Sequence, residues 1–184
     1  MRVLVVYATK YGATKGIAER VAATLNESGL EAAAVPVKGA KGLEGYDAYV
    51  IGSAAYMFSW LHEAADFVRR NAPLLRAKPV WLVSSGPIGT ERIDEQGRDV
   101  LETSVPKEIA EFKELISPRG HQVFFGAFDH TKLGVTHRLI YAIPALKKLL
   151  IDGDYRDWDE IDRWARSIAS ALVEPRVPAG QGAR

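Results

Sequence analysis

The apolar positions of the chain alternate between two periodicities, one typical of buried strands and one typical of amphipathic helices. A first strand is predicted over Val3–Tyr7, and apolar residues then recur at helical spacing from Ile17 to Leu25. Four further strands are predicted, over Ala32–Val37, Tyr46–Gly52, Pro79–Ser84 and Gln122–Phe128. Strands that alternate with helices in this way predict a parallel sheet with right-handed crossovers.

Start and stop signals mark the helices between these strands. Gly29 is a suitable C-terminal residue for the first helix, and Ser59 is expected to cap a second helix that ends near Arg70. Pro106 is expected at the first position of a later helix. Asp157 and Glu160 have the spacing of a capping box at the start of the last helix, whereas residues 88–103 are predicted to be irregular.

Five strands of this kind fit a doubly wound sheet in the order 2-1-3-4-5, covered by helices on both faces. We therefore predict an α/β fold with three layers, α/β/α. In such sheets a ligand binds beyond the carboxyl ends of the strands, beside strand one. Three loops are expected to meet there, over residues 9–14, 52–59 and 84–89.

The loop after the first strand has the composition of a phosphate-binding loop. It consists of Thr9, Lys10, Tyr11, Gly12, Ala13 and Thr14. Its hydroxyls, its glycine and the N–H groups of the following helix can all bind an anion. The glycine patterns of P-loops and of dinucleotide-binding folds are missing, so one terminal monophosphate fits best. The alternative is a capping turn in which Thr14 satisfies the helix end.

The other two loops offer a slot for a planar ring. The first contributes Ala54, Ala55 and Tyr56, and the second contributes Ser85, Gly86 and Ile88. Small residues let a ring lie against the backbone, and an aromatic side chain in a loop can stack on it. Trp60 more readily packs inward as part of the helix, and the second loop also reads as a simple glycine-proline turn. A phosphate site beside a planar slot predicts flavin mononucleotide (FMN).

Length, charge and cysteine content narrow the class of protein. The chain has 184 residues, a net charge of +1 and no cysteine. We predict one domain over residues 1–173 and a flexible tail over 174–184. The charge argues against a nucleic-acid partner, and the missing cysteines exclude disulfides and a thiol nucleophile. With neither a secretory segment nor a membrane-spanning run, a cytoplasmic location is expected.

Metal and acid–base chemistry receive little support from the sequence. The histidines lack the spacing of metal ligands to one another or to carboxylates, and we predict no metal site. They are His62, His121, His130 and His137. No catalytic side chain is assigned, because a flavin itself supplies the electron chemistry.

Residues 129–154 form an insert that is longer than the usual connection between a strand and a helix. Its segment 132–150 mixes lysine, arginine and histidine with leucine, isoleucine and tyrosine. One interpretation is an edge cover packed on the sheet. The other is a weak peripheral contact with the inner face of a membrane, or part of a quinone site.

Several motifs match a known family. They are Thr9–Thr14, Val50–Ala54, Gly126–Phe128 and Asp157–Trp158. The basic and apolar segment that precedes Asp157 also matches. From Met1 to Val173 the chain resembles flavodoxin-like proteins, and among them the menaquinone-dependent protoporphyrinogen IX dehydrogenases. The resemblance implies FMN, with its phosphate at the first loop and its ring between the loops after strands three and four. Tyr56 and Met57 stand where the dehydrogenases have an arginine and a tyrosine.

Three functions follow as hypotheses. The first is an FMN-dependent oxidoreductase that passes electrons between a reduced donor and a quinone or porphyrin-like substrate. The second is a flavodoxin-type carrier between redox proteins, although the net charge of +1 provides no strong field to steer such partners. The third is a binding module that keeps the fold without flavin.

Overall fold

The computed structural model describes residues 1–132 and 152–173. The strands are β1 (Arg2–Ala8), β2 (Glu31–Pro36), β3 (Ala48–Tyr56), β4 (Ser59–Trp60), β5 (Val80–Ser85), β6 (Gly120–Phe124), β7 (Ala127–Phe128) and β8 (Gly153–Asp154). The described α-helices are α1 (Ala13–Glu27), α2 (His62–Arg70), α3 (Ala72–Arg76), α4 (Val100–Thr103), α5 (Glu108–Ile116) and α6 (Trp158–Val173). Short 3-10 turns lie at Val37–Gly39, Leu43–Gly45 and His130–Lys132.

Five parallel strands form the main sheet in the order β2-β1-β3-β5-β6. The predicted order 2-1-3-4-5 is confirmed, since β5 and β6 are the fourth and fifth strands of the parallel set. The two-residue strand β4 pairs antiparallel with β3, and β7 and β8 form a separate antiparallel ribbon.

Alternate residues of each central strand face opposite helical layers, which produces two cores. On one face Val3 and Val5 pack with α1 and α6. On the other face Leu4 and Val6 pack with α2, α3 and α5. Because β5 is buried along its whole length, its sequence is nearly continuously apolar and ends in two serines.

A buried carboxylate joins α1 to α6 on the first face. Asp162 accepts hydrogen bonds from Arg20 Nε at 2.7 Å, Arg20 Nη2 at 2.6 Å and Thr24 Oγ1 at 2.9 Å. The hydrogen bond from Arg20 is the main cause that lowers the pKa of Asp162 below its usual value. The carboxylate therefore stays charged and fixes the register of the two helices.

The prediction that Ser59 caps a helix is wrong. Ser59 and Trp60 belong to β4, Leu61 is the residue before the helix, and α2 begins at His62. The chain doubles back through a two-residue turn at Met57–Phe58, so β3 extends four residues beyond the predicted end at Gly52. It also begins at Ala48 rather than at Tyr46.

The later boundaries also differ in detail. The predicted strand 122–128 is two strands, β6 and β7, because the pairing with β5 stops at Phe124. The irregular region contains α4, which Asp99 caps by accepting from the backbone N–H groups of Leu101 and Glu102. The helix expected to start at Pro106 begins at Glu108.

The capping residue of the last helix is confirmed. The backbone N–H of Glu160 donates to Asp157 Oδ1 at 2.9 Å, while the Glu160 carboxylate lies 3.3 Å from Arg92 Nη1. The predictions for the insert segment 133–151 and for the tail 174–184 lie outside the described residues. Within the described ranges, no helix has the length and apolar content needed to cross a membrane.

Candidate functional site

The three loops singled out in the sequence meet at the carboxyl end of the sheet. The end of β1 lies beside the end of β3, with Ala8 opposite Ser53, and Ser53 is in turn opposite Ser84 of β5. The segments that follow these residues therefore line one continuous edge, as the strand order requires.

The loop between β1 and α1 is shaped by one glycine. Gly12 has φ 94°, in the left-handed region, which residues with a Cβ atom rarely adopt. Its backbone N–H donates to Thr9 Oγ1 at 3.0 Å, and a side chain at this position would meet nothing within 4 Å. The backbone is thus bent at Gly12, and the space beside its Cα atom is open.

Thr14 is the residue of this loop that most directly indicates a ligand. It is 1% exposed, its methyl group faces Gly52 of β3, and its hydroxyl has no hydrogen-bond partner among the described residues. Thr14 does not cap α1, because the N-cap residue is Gly12, just before the helix, and the Thr14 hydroxyl makes no hydrogen bond within the described residues. The capping alternative from the sequence is therefore wrong.

A phosphate group fits this arrangement. A buried hydroxyl without a partner destabilises a protein, and a phosphate oxygen at the helix terminus would accept from it. The first-turn N–H groups of α1 lack intrahelical partners and carry partial positive charge. Both features favour an anion at the same place.

Tyr56 lies beside this loop, although in a strand and not in the predicted loop. Its ring meets the Tyr11 ring edge-on, with centroids 6.5 Å apart. The Lys10 ammonium lies 5.6 Å from the Tyr11 centroid and 5.8 Å from the Tyr56 centroid. Partial burial, and next Tyr11, raises the pKa of Tyr56 to about 12, so the phenol is neutral at physiological pH.

The remaining predicted residues lie at the ends of β3 and β5 and in the segment after β5. Ala54 pairs with Ser85 in the β3–β5 register, and Ala55 is the next residue of β3. The Gly86 N–H donates to Phe124 O at 3.2 Å, which ties the loop after β5 to the end of β6. Ile88 is exposed at the rim. The structure thus brings all twelve predicted residues to one end of the sheet.

A chain of hydrogen bonds joins β4 to β5 and β6. Trp60 Nε1 donates to Ser84 Oγ at 2.8 Å, and Ser84 Oγ lies 2.8 Å from His121 Nε2. Burial, with a smaller effect of Lys113, lowers the pKa of His121 to about 4, so the imidazole is neutral at physiological pH and shares a hydrogen bond with Ser84. Trp60 packs inward as predicted, against Phe112.

Arg156 is a site residue that the sequence did not reveal. Its Nη1 donates to the backbone oxygen of Ala13 at 3.2 Å, and its Nε and Nη2 donate to the Asp154 carboxylate at 2.6 Å each. It lines a small cleft of about 80 Å³ together with Tyr11, Gly12, Ala13, Ala127 and Asp129. Because Arg156 lies 143 residues from Ala13 in the chain, no local pattern indicates the contact.

The sequence matches the flavodoxin domain family over residues 4–148. This range covers more than half of the chain. The chain belongs to the flavodoxin family. Members of this family typically bind FMN and transfer electrons.

Solved structures agree with the fold of this flavodoxin-family chain. A flavodoxin from the domain Archaea superposes with a TM-score of 0.58 at 16% identity, over 95% of this chain and 100% of that chain. A flavodoxin from Streptococcus pneumoniae TIGR4 gives 0.58 at 16% identity, over 93% and 99%. Rubredoxin oxygen:oxidoreductase from Desulfovibrio gigas gives 0.58 at 14% identity, over 93% of this chain and 36% of that chain.

One further cluster lies at the same end of the sheet in this flavodoxin-family protein. Ligand atoms of Asp129, His130 and Asp152 all fall within 4.8 Å of one another. His130 donates through its backbone N–H to Asp152 at 2.8 Å, and its ring Nδ1 contacts the same carboxylate. The spacing of the histidines did not predict this cluster. The pairing of β7 with β8 brings Asp152 next to Asp129 and His130, although they are distant in sequence.

Proposed function

We propose that this flavodoxin-family protein binds FMN at the carboxyl end of its sheet. The observation that supports this most strongly is the buried Thr14 hydroxyl, which has no partner among the described residues and lies in the first turn of α1. Thr9–Thr14 would hold the phosphate, and the ring would lie between Ala54–Tyr56 and Ser85–Ile88.

The bound cofactor would supply one- and two-electron transfer. The protein's own groups would then bind, orient and shield. Tyr56 has a neutral phenol beside Tyr11 and Lys10, and this group is suited to pack against the flat ring. The buried Trp60–Ser84–His121 chain would keep that wall rigid.

The activity that we propose is oxidoreduction between a reduced donor and a quinone or porphyrin-like substrate, in which a quinone would accept electrons and a porphyrinogen would donate them. The exposed Tyr56 and Ile88 favour a substrate with a flat, apolar ring system. The sequence resemblance to protoporphyrinogen IX dehydrogenases supports the same substrate class.

The competing function is electron carriage between redox proteins. The nearly full-length match to small flavodoxins favours it, whereas the net charge of +1 does not. A turnover assay distinguishes the enzyme from the carrier. An enzyme turns over many quinone molecules when it is supplied with a reductant, or many porphyrinogen molecules when it is supplied with an oxidant. A carrier exchanges one or two electrons per flavin and depends on partner proteins.

Cofactor binding is tested by titrating the purified apoprotein with FMN and with riboflavin. We expect a Kd for FMN of about 1 μM or lower, equivalent to about −8 kcal/mol. Thr14→Val removes a hydrogen bond to a charged group, worth roughly 1.5–3 kcal/mol, and is expected to weaken FMN but not riboflavin. Thr14→Ser retains the hydroxyl and serves as the control. Equal affinity of the wild type for both ligands would contradict the phosphate assignment.

The reaction is tested with the FMN-loaded protein under anaerobic conditions. A panel of quinones and porphyrinogens is mixed with it, and flavin absorbance is followed over repeated cycles. Multiple turnovers with a member of the panel support the enzyme. Stoichiometric flavin reoxidation only by a redox protein supports the carrier instead.

A further inference from the structure

The turn between β3 and β4 has an unusual composition. Its two central residues are Met57, with φ 48°, and Phe58, with φ 59°. Two-residue hairpin turns with positive φ at both positions favour Asn-Gly or Gly-Gly sequences. A bulky residue with positive φ is uncommon, because its Cβ atom crowds the backbone.

Folding does not account for these side chains. Met57 is 95% exposed and Phe58 is 61% exposed, so neither gains much from burial in the core. A pair of small turn residues would form the same hairpin with less backbone strain. Two large apolar groups are therefore displayed at the apex of the hairpin in spite of its geometry.

Other exposed apolar residues lie near this apex. The Lys107 N–H donates to Phe58 O at 3.0 Å, which brings the segment before α5 against the turn. Val105, two residues earlier, is exposed. We refer to Met57, Phe58 and Val105 as the apolar tip.

The charges next to the apolar tip are basic. Lys107 is exposed and adjoins Phe58, and Lys10 lies over the Tyr56 ring. Glu108, the acid that follows Lys107, is turned inward and accepts from the backbone N–H of Trp60 at 3.1 Å. Apolar groups framed by ammonium groups complement the interface of an anionic bilayer, where acyl chains lie beneath negative headgroups.

We propose that the apolar tip inserts into the interface of an anionic membrane, with Lys107 at the headgroups. A stable protein interface buries about 800 Å² on each partner, which an apex of a few side chains does not offer by itself. A bilayer accepts such an apex without a matched surface. Tyr56 joins the tip to the candidate cofactor site, so docking would turn that end of the sheet toward the lipid.

This inference goes beyond the proposed function and does not depend on it, because no residue of the tip is assigned to the cofactor. The apoprotein is therefore expected to dock as well as the FMN-loaded protein. Failure to bind FMN and failure to bind membranes are separate results.

The test is sedimentation of the full chain, with and without FMN, with vesicles of phosphatidylcholine and phosphatidylglycerol in equal amounts. The wild type is expected to sediment at low salt and to be released at high salt. The double variant Met57→Asn/Phe58→Gly supplies better turn residues, so it is expected to fold at least as well as the wild type. Its affinity for vesicles is expected to fall by about tenfold or more. Ile93→Asn removes an exposed isoleucine between Glu91 and Asp94 and is expected to change nothing.

The contribution of the Lys107 charge and the insertion of Phe58 into the bilayer are tested with separate variants. Lys107→Glu is expected to weaken vesicle binding, whereas Lys113→Glu, further along α5, is the matched control. Since the chain has no cysteine, Phe58→Cys can be labelled with an environment-sensitive dye, whose emission should shift to the blue on vesicles, unlike that of Ile93→Cys.

Two results would overturn the proposal. One is wild-type binding that the double variant retains in full. The other is a wild type that does not sediment with vesicles at low salt. If the double variant also loses electron transfer to a redox protein, the tip is a protein-docking surface instead.

Discussion

The guanidinium of Arg156 occupies the space that a side chain at Gly16 would fill. A Cβ atom at position 16 would overlap Arg156 Nη1, which donates to Ala13 O. The same guanidinium stacks on Trp158, 4.3 Å from the ring centroid. The start of α6 is thereby fastened to the first turn of α1, where the candidate phosphate loop ends.

Gly16→Ala is therefore expected not to stabilise the protein, although alanine in a helix is usually about 1 kcal/mol better than glycine. The methyl group would displace Arg156 from Ala13 and Trp158. Urea unfolding of Gly16→Ala, Arg156→Ala and the double variant measures this effect. In the Arg156→Ala background, where the space is free, Gly16→Ala should be stabilising. The same gain in both backgrounds would show that the two residues do not interact.

His121 should make the stability depend on pH. Its pKa is about 4 in the folded protein, against 6.5 for an unperturbed histidine, so the unfolded chain binds the proton first. The contribution is fully present above pH 6.5 and is lost as the pH falls towards 4, by up to about 3 kcal/mol.

The measurement for His121 is the free energy of unfolding between pH 7 and pH 4 in wild type and His121→Gln. The glutamine keeps an acceptor for Ser84 without a titrating ring, and the slope should become flatter. The exposed His62, changed to glutamine, serves as the control. A His121→Gln profile parallel to that of wild type would contradict the prediction.

The Met57–Phe58 turn should be a site where stability is easily gained. Replacing the pair with Asn-Gly relieves the left-handed strain, which amounts to about 1–2 kcal/mol per residue. Because asparagine keeps a Cβ atom, only the glycine relieves this strain in full, and thermal and urea unfolding should show a gain of about 1–2 kcal/mol. Met57→Ala/Phe58→Ala shortens both side chains but keeps a Cβ at each position, so it should gain much less. A similar gain in both variants would mean that exposed apolar area, and not φ, sets the stability.

Substitutions of Tyr56 and Trp60 should differ in their effects on a bound flavin. Tyr56→Ala is expected to shift the flavin absorbance and its reduction potential, because it removes an aromatic wall at the candidate site. Trp60→Phe removes the donor to Ser84 and is expected mainly to lower stability. Spectral titration and unfolding of both variants check this. Unchanged spectra in Tyr56→Ala, with altered spectra in Trp60→Phe, would reverse the assignment.

Much of the fold could be predicted from local patterns because the buried strands are nearly uninterrupted apolar runs. The apolar run at Pro79–Ser84 predicted a strand covered on both faces, and β5 (Val80–Ser85) is buried along its whole length. The β3–β4 hairpin was missed for a physical reason. Met57–Phe58 lacks every usual turn residue, and Ser59 followed by Trp60 and Leu61 is typical of a capped helix. Tertiary contacts of Trp60 with Ser84 and Phe112 override that local preference.

The candidate site divides in the same way. The loop Thr9–Thr14 was predictable because its glycine, hydroxyls and helix terminus are contiguous. Arg156 and the cluster of Asp129, His130 and Asp152 were not, since their contacts join positions far apart in the chain. No periodicity or spacing rule reaches across such separations.

The β7–β8 ribbon has a consequence for how this protein can diversify. Phe128 pairs with Gly153 and Ala127 with Asp154. The chain therefore leaves the β7–β8 ribbon and returns to it at neighbouring positions. Closing a loop of twice the length costs only about 0.6 kcal/mol more. Segments of different length and chemistry can therefore be exchanged between residues 129 and 152 while the sheet and the loop at Thr9–Thr14 stay unchanged. The candidate cofactor site and the residues between positions 129 and 152 can therefore change independently of each other.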